Sequence, residues 1–153
     1  VLIYNQLMAE TDAGVRKRSR KTTVSITKAE IVKRGDKKGV KFQATGRAHT
    51  EKVYYNVEIE LYPEQIANKP TDKPGVMRVE HPHEHMECFV HCTCPYFTFH
   101  NEWVLWKNGS SDLRQSENKP PYITNPDMAT GVCKHLFKGL PLALRAVQKI
   151  AVG

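Results

Sequence analysis

His91-Cys92-Thr93-Cys94-Pro95 and Gly131-Val132-Cys133-Lys134-His135 are two halves of one arrangement, a C-x-C pair and a C-x-H pair, with 38 residues between Cys94 and Cys133. Three thiolates and an imidazole form a four-ligand set suited to tetrahedral Zn²⁺, and such a site contributes folding free energy directly. Cysteines at i and i+2 of a strand project to the same side, so Cys92 and Cys94 reach one ion where the strand curves at its end. Cys133 and His135 supply the other two positions from the start of a helix. With all four positions filled by protein atoms no place remains for a catalytic water, so zinc is the expected cofactor, its role is structural, and an enzyme is not expected.

Working outward, Met86 to Cys94 reads as a strand, with Met86, Cys88, Val90, Cys92 and Cys94 on one face. Cys88 is read as a core thiol. The clearest alternation is Lys52 to Leu61, where Val53, Tyr55, Val57, Ile59 and Leu61 oppose Lys52, Tyr54, Asn56, Glu58 and Glu60. Period 2 with β-branched and aromatic content predicts a half-buried antiparallel strand, ended by Pro63. Thr22 to Thr27 and Val40 to Ala44 are weaker strands around a turn at Gly35-Asp36-Lys37-Lys38-Gly39, and Asn68 to Gly75 is a loop before a short strand at Val76 to Val79.

Between the half-sites, Asn101 is placed as the cap of a short helix through Trp103 to Lys107, with Trp103, Val104 and Trp106 covering part of the core. Lys119-Pro120-Pro121 to Asn125-Pro126 reads as rigid coil. A helix over Cys133 to Lys138 is expected to break at Gly139-Leu140-Pro141, and a second helix to run from Leu142 to Ile150, with Leu140, Leu144, Val147 and Ile150 as its apolar stripe. Residues 1–21 show no sustained periodicity and end in Arg16-Lys17-Arg18-Ser19-Arg20-Lys21, which predicts an extended basic arm. The expected fold is therefore α+β: a small antiparallel sheet stapled by zinc to C-terminal helices. Its division is an arm over residues 1–21 and one zinc-stabilised domain over 22–153, whose zinc region spans 86–140.

A length of 153 residues suits a single domain in which a metal clamp matters. Spacings of this kind among four cysteines do not resemble a secreted disulfide framework, and a reducing compartment follows. No stretch of about 18 apolar residues exists, and the first eight residues lack the flank of a signal peptide, so no membrane association is expected. The formal charge of +7 is uneven, since residues 1–50 hold 12 of the 23 Lys/Arg and 4 of the 16 Asp/Glu. Arg16, Lys17, Arg18, Arg20, Lys21, Lys33, Arg34, Lys37, Lys38, Lys41 and Arg47 are thus candidates for a polyanion-facing patch. Against that reading, the aromatic residues concentrate in the other part of the chain and are not interleaved with the basic run. His81-Pro82-His83-Glu84-His85 is a second metal candidate, with alternate histidines sharing a face, though Pro82 favours a solvated turn. Neither a phosphate loop nor a nucleophile–base arrangement is present, so no small-molecule substrate is implied.

The order C-x-C, long insert, C-x-H, with strands before and a helix after, resembles the SWIM-type zinc finger. Cys92-Thr93-Cys94-Pro95-Tyr96-Phe97, Leu105-Trp106-Lys107-Asn108-Gly109-Ser110-Ser111 and Pro120-Pro121-Tyr122-Ile123-Thr124-Asn125-Pro126 through Gly131 to Leu136 also resemble a group of virion-associated proteins of tailed bacteriophages, over residues 92–136. These likenesses imply Cys92, Cys94, Cys133 and His135 as zinc ligands. They further imply DNA binding or protein–protein contact for the finger, and for the whole chain a multi-copy head, neck or tail component. Such a component meets other virion proteins and resides in the virion, or in the host cytoplasm during assembly. The rival is a nucleic-acid-binding module using the basic residues above.

Overall fold

A computed structural model describes residues 1–48, 52–63, 65–67, 78–80, 83–116 and 119–150. The alternating segments form a four-stranded antiparallel sheet of β1 (Thr22–Arg34), β2 (Lys37–Ala48), β3 (Tyr55–Tyr62) and β6 (Glu87–Cys92), in the order β1-β2-β3-β6. Between β3 and β6, β4 (Gln65–Ala67) pairs with β5 (Arg78–Glu80) as a separate ribbon. The register aligns the apolar parity of every strand: Ile26, Ala44, Val57 and Cys92 lie in one row, Phe42, Ile59 and Val90 in the next, and Val40, Leu61 and Cys88 in a third. A slip of one residue would turn all of these to the opposite face, so the buried side fixes the register. The sheet thus carries Cys92 to its edge with its thiol on the core side.

That core is closed by one helix, α4 (Lys134–Ile150), whose Leu136, Leu140, Ala143, Leu144 and Val147 are buried with the sheet residues. The break expected at Gly139-Leu140-Pro141 is not there, because Pro141 lies inside the helix. A proline in that position costs about 3 kcal/mol through a lost hydrogen bond and a ring clash. Burial of large apolar side chains at about 1.5–3 kcal/mol each outweighs it. Gly139 proves to be a contact point, since a Cβ there would sit 3.1 Å from Ile59 Cδ1 and 3.4 Å from Val24 Cγ1. Among the described residues no helix is long and apolar enough to cross a membrane.

The extended arm expected over residues 1–21 is replaced by two short helices, α1 (Tyr4–Ala9) and α2 (Ala13–Ser19), with Leu7 and Val15 fully buried. Helices of this length do not hold in isolation and are too short to show a period. Tertiary anchors decide them. Tyr4 N–H donates to Met86 O and Cys88 N–H to Leu2 O, both at 2.9 Å, so residues 2–4 continue the sheet past β6. Thr11 Oγ1 donates to Leu7 O at 2.7 Å and accepts from Val132 N–H at 3.1 Å, while Asp12 caps α2 through Gly14 N–H at 2.9 Å. Arg16 donates to the carbonyls of Met8, Ala9 and Thr11 and so satisfies the end of α1. Close approach of the two segments leaves no space at Gly131, where a Cβ would lie 2.7 Å from Thr11 Cα and 2.8 Å from Glu10 O. Gly131→Ala is expected to destabilise by about 1–3 kcal/mol, read as a lower urea midpoint at unchanged slope; an unchanged midpoint would mean that this junction is loose.

Other boundaries shift for local reasons. Pairing of β3 begins at Tyr55, leaving Val53 and Tyr54 exposed. A π-helical turn (Phe97–Asn101) precedes α3 (Glu102–Lys107), and Asn101 does not cap it, because its amide donates to Gly131 O at 3.0 Å. Val104 and Leu105 enter the core, whereas Trp106 keeps 39% of its surface exposed. The loop expected over Asn68 to Gly75, the first half of the Val76 to Val79 strand, and His81 and Pro82 lie outside the described residues.

Candidate metal centre

At the end of β6 the chain turns under control of Thr93, whose N–H donates to Asn56 O at 3.1 Å and whose Oγ1 accepts from Asn56 N–H at 3.0 Å. Cys94 then starts the next turn: its Sγ accepts from Phe97 N–H at 3.4 Å and its carbonyl from Thr98 N–H at 3.1 Å. The second half-site is delivered by the start of α4, with Cys133 O accepting from Phe137 N–H at 2.9 Å. Asn125 holds the approach by bonding the carbonyls of His100 and Ala129, both at 3.0 Å, and Asn101 holds Gly131. The long insert is therefore folded against the segment that must present Cys133 and His135.

Cys92, Cys94, Cys133 and His135 meet with their ligand atoms all within 4.8 Å of one another, and none is more than 3% exposed. Cys92 Sγ lies 3.8 Å from His135 Nδ1. Ligand atoms of a tetrahedral zinc with Zn–S near 2.3 Å are separated by about 3.8 Å. The donor set therefore fits such an ion. His135 is packed by the sheet, for a Cβ at Gly46 would lie 2.8 Å from its Cδ2 and the Tyr55 ring centroid is 5.3 Å away. Its Nε2 is buried without a hydrogen-bond partner among the described residues.

Hydrogen bonds from Cys133 and Cys92 hold the Cys94 thiol far below its ordinary range, whereas burial pushes Cys133 well above it, the neighbouring sulfurs adding to the effect. Binding a divalent ion therefore displaces protons from the cluster. Cys88 stands apart, as expected of a core thiol: burial and the Glu87 charge raise it, and its Sγ donates to Met86 O at 3.5 Å.

On the opposite face of β6 lies a buried pair that the sequence did not disclose. His91 Nε2 is 2.8 Å from Glu102 Oε2, and Glu102 Oε1 accepts from the backbone N–H groups of Arg114, Gln115 and Ser116 at 3.0, 2.7 and 2.9 Å. Although burial alone would raise the Glu102 carboxyl, these backbone donors and His91 hold it below its ordinary value. Glutamate in the first turn of a helix is so ordinary on a solvated face that only tertiary contacts reveal this one as an interior anchor.

The remaining candidates are dispersed. His83 and His85 have ring centroids 5.6 Å apart, but the Cys₃His group is the only His/Cys/Asp/Glu cluster of metal-holding geometry among the described residues. The eleven basic residues form two groups. Arg16, Lys17, Arg18, Arg20, Lys21 and Arg47 gather where Thr22 pairs with Ala48, while Lys33, Arg34, Lys37 and Lys38 sit at the far tip of the hairpin, with Lys41 between. A strand of that length spans roughly 40 Å. At the tip, Arg34 pairs with Glu60 at 2.8 Å and lies 3.4 Å over the Phe89 ring, and Lys37 pairs with Glu87; Lys41 meets Glu58 at 3.4 Å.

No family model matches the chain, and comparison with curated proteins and with solved structures gives no match either. What fold and site define is a small α+β protein in which a buried Cys₃His cluster, of geometry suited to a metal ion, joins the sheet to the C-terminal helix.

Proposed function

We propose that this chain is a zinc-stabilised structural or adaptor protein that acts through protein–protein contacts. The observation that carries this reading is the closure of the metal cluster: four protein donors, all buried, leave no open position for water or substrate. An ion there links β6 to α4 across the insert and restricts the unfolded chain much as a cross-link does. A contact surface is available on that insert. A cleft of about 560 Å³ is bordered by Phe99, Trp103, Pro121, Tyr122 and Ile123, and Phe99, Tyr122 and Ile123 are 64%, 70% and 94% exposed. Grouped apolar side chains of this kind mark protein-binding surfaces. The resemblance of residues 92–136 to tailed-phage proteins supports a place in a virion among other particle proteins.

Purified protein is expected to carry one zinc per chain, and cobalt in its place to give the intense thiolate charge-transfer absorption of a sulfur-rich tetrahedral site. Metal-free native material would overturn the zinc reading. For the adaptor role, mass spectrometry of purified particles, with cross-links mapped to the 99–123 surface, is the test; absence from the particle ends the virion assignment.

A further inference from the structure

The two edges of the four-stranded sheet are treated differently. Beyond β6, residues 2–4 continue the ladder through Met86 and Cys88, and Val90 N–H donates to Ser110 O at 2.8 Å. At the other edge β1 pairs with β2 alone, and among the described residues no backbone hydrogen bond reaches residues 23–34 from any other segment. In an antiparallel edge strand alternate residues turn their N–H and C=O outward, so this strand of 13 residues, without a proline, offers a row of unpaired groups. Edge strands are ordinarily blunted by lysines. Here Lys28 is matched by Glu30, two residues along on the same face and 3.7 Å away. Across the outer face of the sheet, Glu30 lies opposite Lys41 and Lys41 opposite Glu60, while Lys28 heads the neighbouring row of Gln43 and Glu58. Both rows therefore run out at β1 on a charge, negative in one and positive in the other. On the core side Ile31 is 53% exposed, although its register partner Val40 is fully buried.

We propose that β1 pairs antiparallel with β1 of a second copy, about a two-fold axis through Ala29, so that two sheets become one. Such an axis, perpendicular to the sheet, keeps both core faces on one side, and each residue meets one equally offset from the centre. Centred on Ala29, Glu30 faces Lys28 of the second copy and Lys28 faces its Glu30, so both rows continue in alternating sign. Ile31 then meets Thr27, a β-branched pair. Centring on Lys28 or on Glu30 instead sets two like charges directly opposite each other, and centring on Ile31 sets Lys28 against Arg34, all of which are destabilising. The charges thus select one register among these. Each chain carries a net charge of +7, which opposes association. Antiparallel pairing places the two basic hairpin tips at opposite ends, and there Arg34 and Lys37 are already paired with Glu60 and Glu87. The bulge between Ile26 and Lys28 confines the contact to a few residues on either side of Ala29, so the dimer is small in area and exchanges with monomer. This pairing is separate from the cleft over residues 99–123 and does not rest on the adaptor reading.

Sedimentation equilibrium of the zinc-loaded full chain between about 10 and 500 µM is expected to show monomer and dimer in exchange. Glu30→Lys and Lys28→Glu, each alone, should weaken the dimer about tenfold or more, because each turns two attractive cross-strand pairs into repulsive ones. The two changes move the net charge in opposite directions, so a loss in both does not come from net charge. Combining Lys28→Glu with Glu30→Lys restores opposite signs at both pairs and should restore the dimer, and mixing the two single variants should give a heterodimer. Both side chains lie at the surface, so urea midpoints should stay close to wild type, which separates lost pairing from lost structure. A chain that stays monomeric at about 500 µM overturns the proposal. So does a dimer that neither single variant weakens, or one that the double exchange fails to restore. A monomer that still cross-links to particle proteins would sink this pairing and leave the adaptor reading standing.

Discussion

Cys133→Ser is expected to destabilise the protein by about 4 kcal/mol or more, with loss of bound zinc, because it removes one of four ligands and leaves the remaining buried sulfurs without an ion to share. Small domains have only about 5–15 kcal/mol of stability in total, so a largely unfolded product is a normal outcome. His83→Ala supplies the contrast. His83 is in the other histidine-containing segment, where its Nδ1 accepts from His85 N–H at 3.0 Å, outside the metal cluster. That change is expected to fall within about 0.5 kcal/mol. Urea denaturation with parallel zinc analysis compares the two, and equal tolerance at both positions would show that the Cys₃His cluster is not what clamps sheet to helix. A strong chelator should act on the wild-type chain as Cys133→Ser does, lowering the midpoint without a change of sequence.

The second large effect is expected at Glu102. Glu102→Ala strips a fully buried carboxylate from His91 and from three backbone N–H groups, and is expected to cost about 3–5 kcal/mol. Glu102→Gln keeps an acceptor oxygen and should lose less. The pH dependence has a definite sign. A carboxyl held below its ordinary value in the folded state contributes stability that is present above its unfolded pKa of about 4.3 and is lost as pH falls through the lower folded value. Glu58, lowered against the effect of its own partial burial by Arg114 and Lys41, contributes in the same direction. Thermal midpoints measured on the acid side should therefore drop more steeply for wild type than for Glu102→Gln. Parallel acid limbs would show that the Glu102 carboxyl is not held below its ordinary value.

Legibility followed the range over which each signal acts. The strand over Tyr55–Tyr62 was readable because alternation is local and Val57, Ile59 and Leu61 report the same buried face, although Glu60 and Tyr62 of the other face are buried as well. Likewise the meeting of Cys92, Cys94, Cys133 and His135 in one cluster was readable from two short spacings, since few other uses bring three cysteines and a histidine together in that order. Illegible were the features whose cause lies elsewhere in the chain. Pro141 reads as a helix breaker, yet it lies within α4 because a large apolar face is anchored on the sheet. Tyr4–Ala9 and Ala13–Ser19 read as coil, yet they are helical because Met86, Cys88 and Val132 bond to their flanks.

The sequence by itself determined the α+β class, the central strands and the composition of the metal cluster, since periodicity and ligand chemistry are properties of neighbours in the chain. Tertiary structure alone decided that residues 1–21 dock as helices, that Glu102 serves as an interior anchor, and that Arg18, Tyr55, Tyr96 and Lys134 share one recess. Such arrangements draw their free energy from contacts between distant segments, and those contacts exist only once the sheet and α4 have closed on each other.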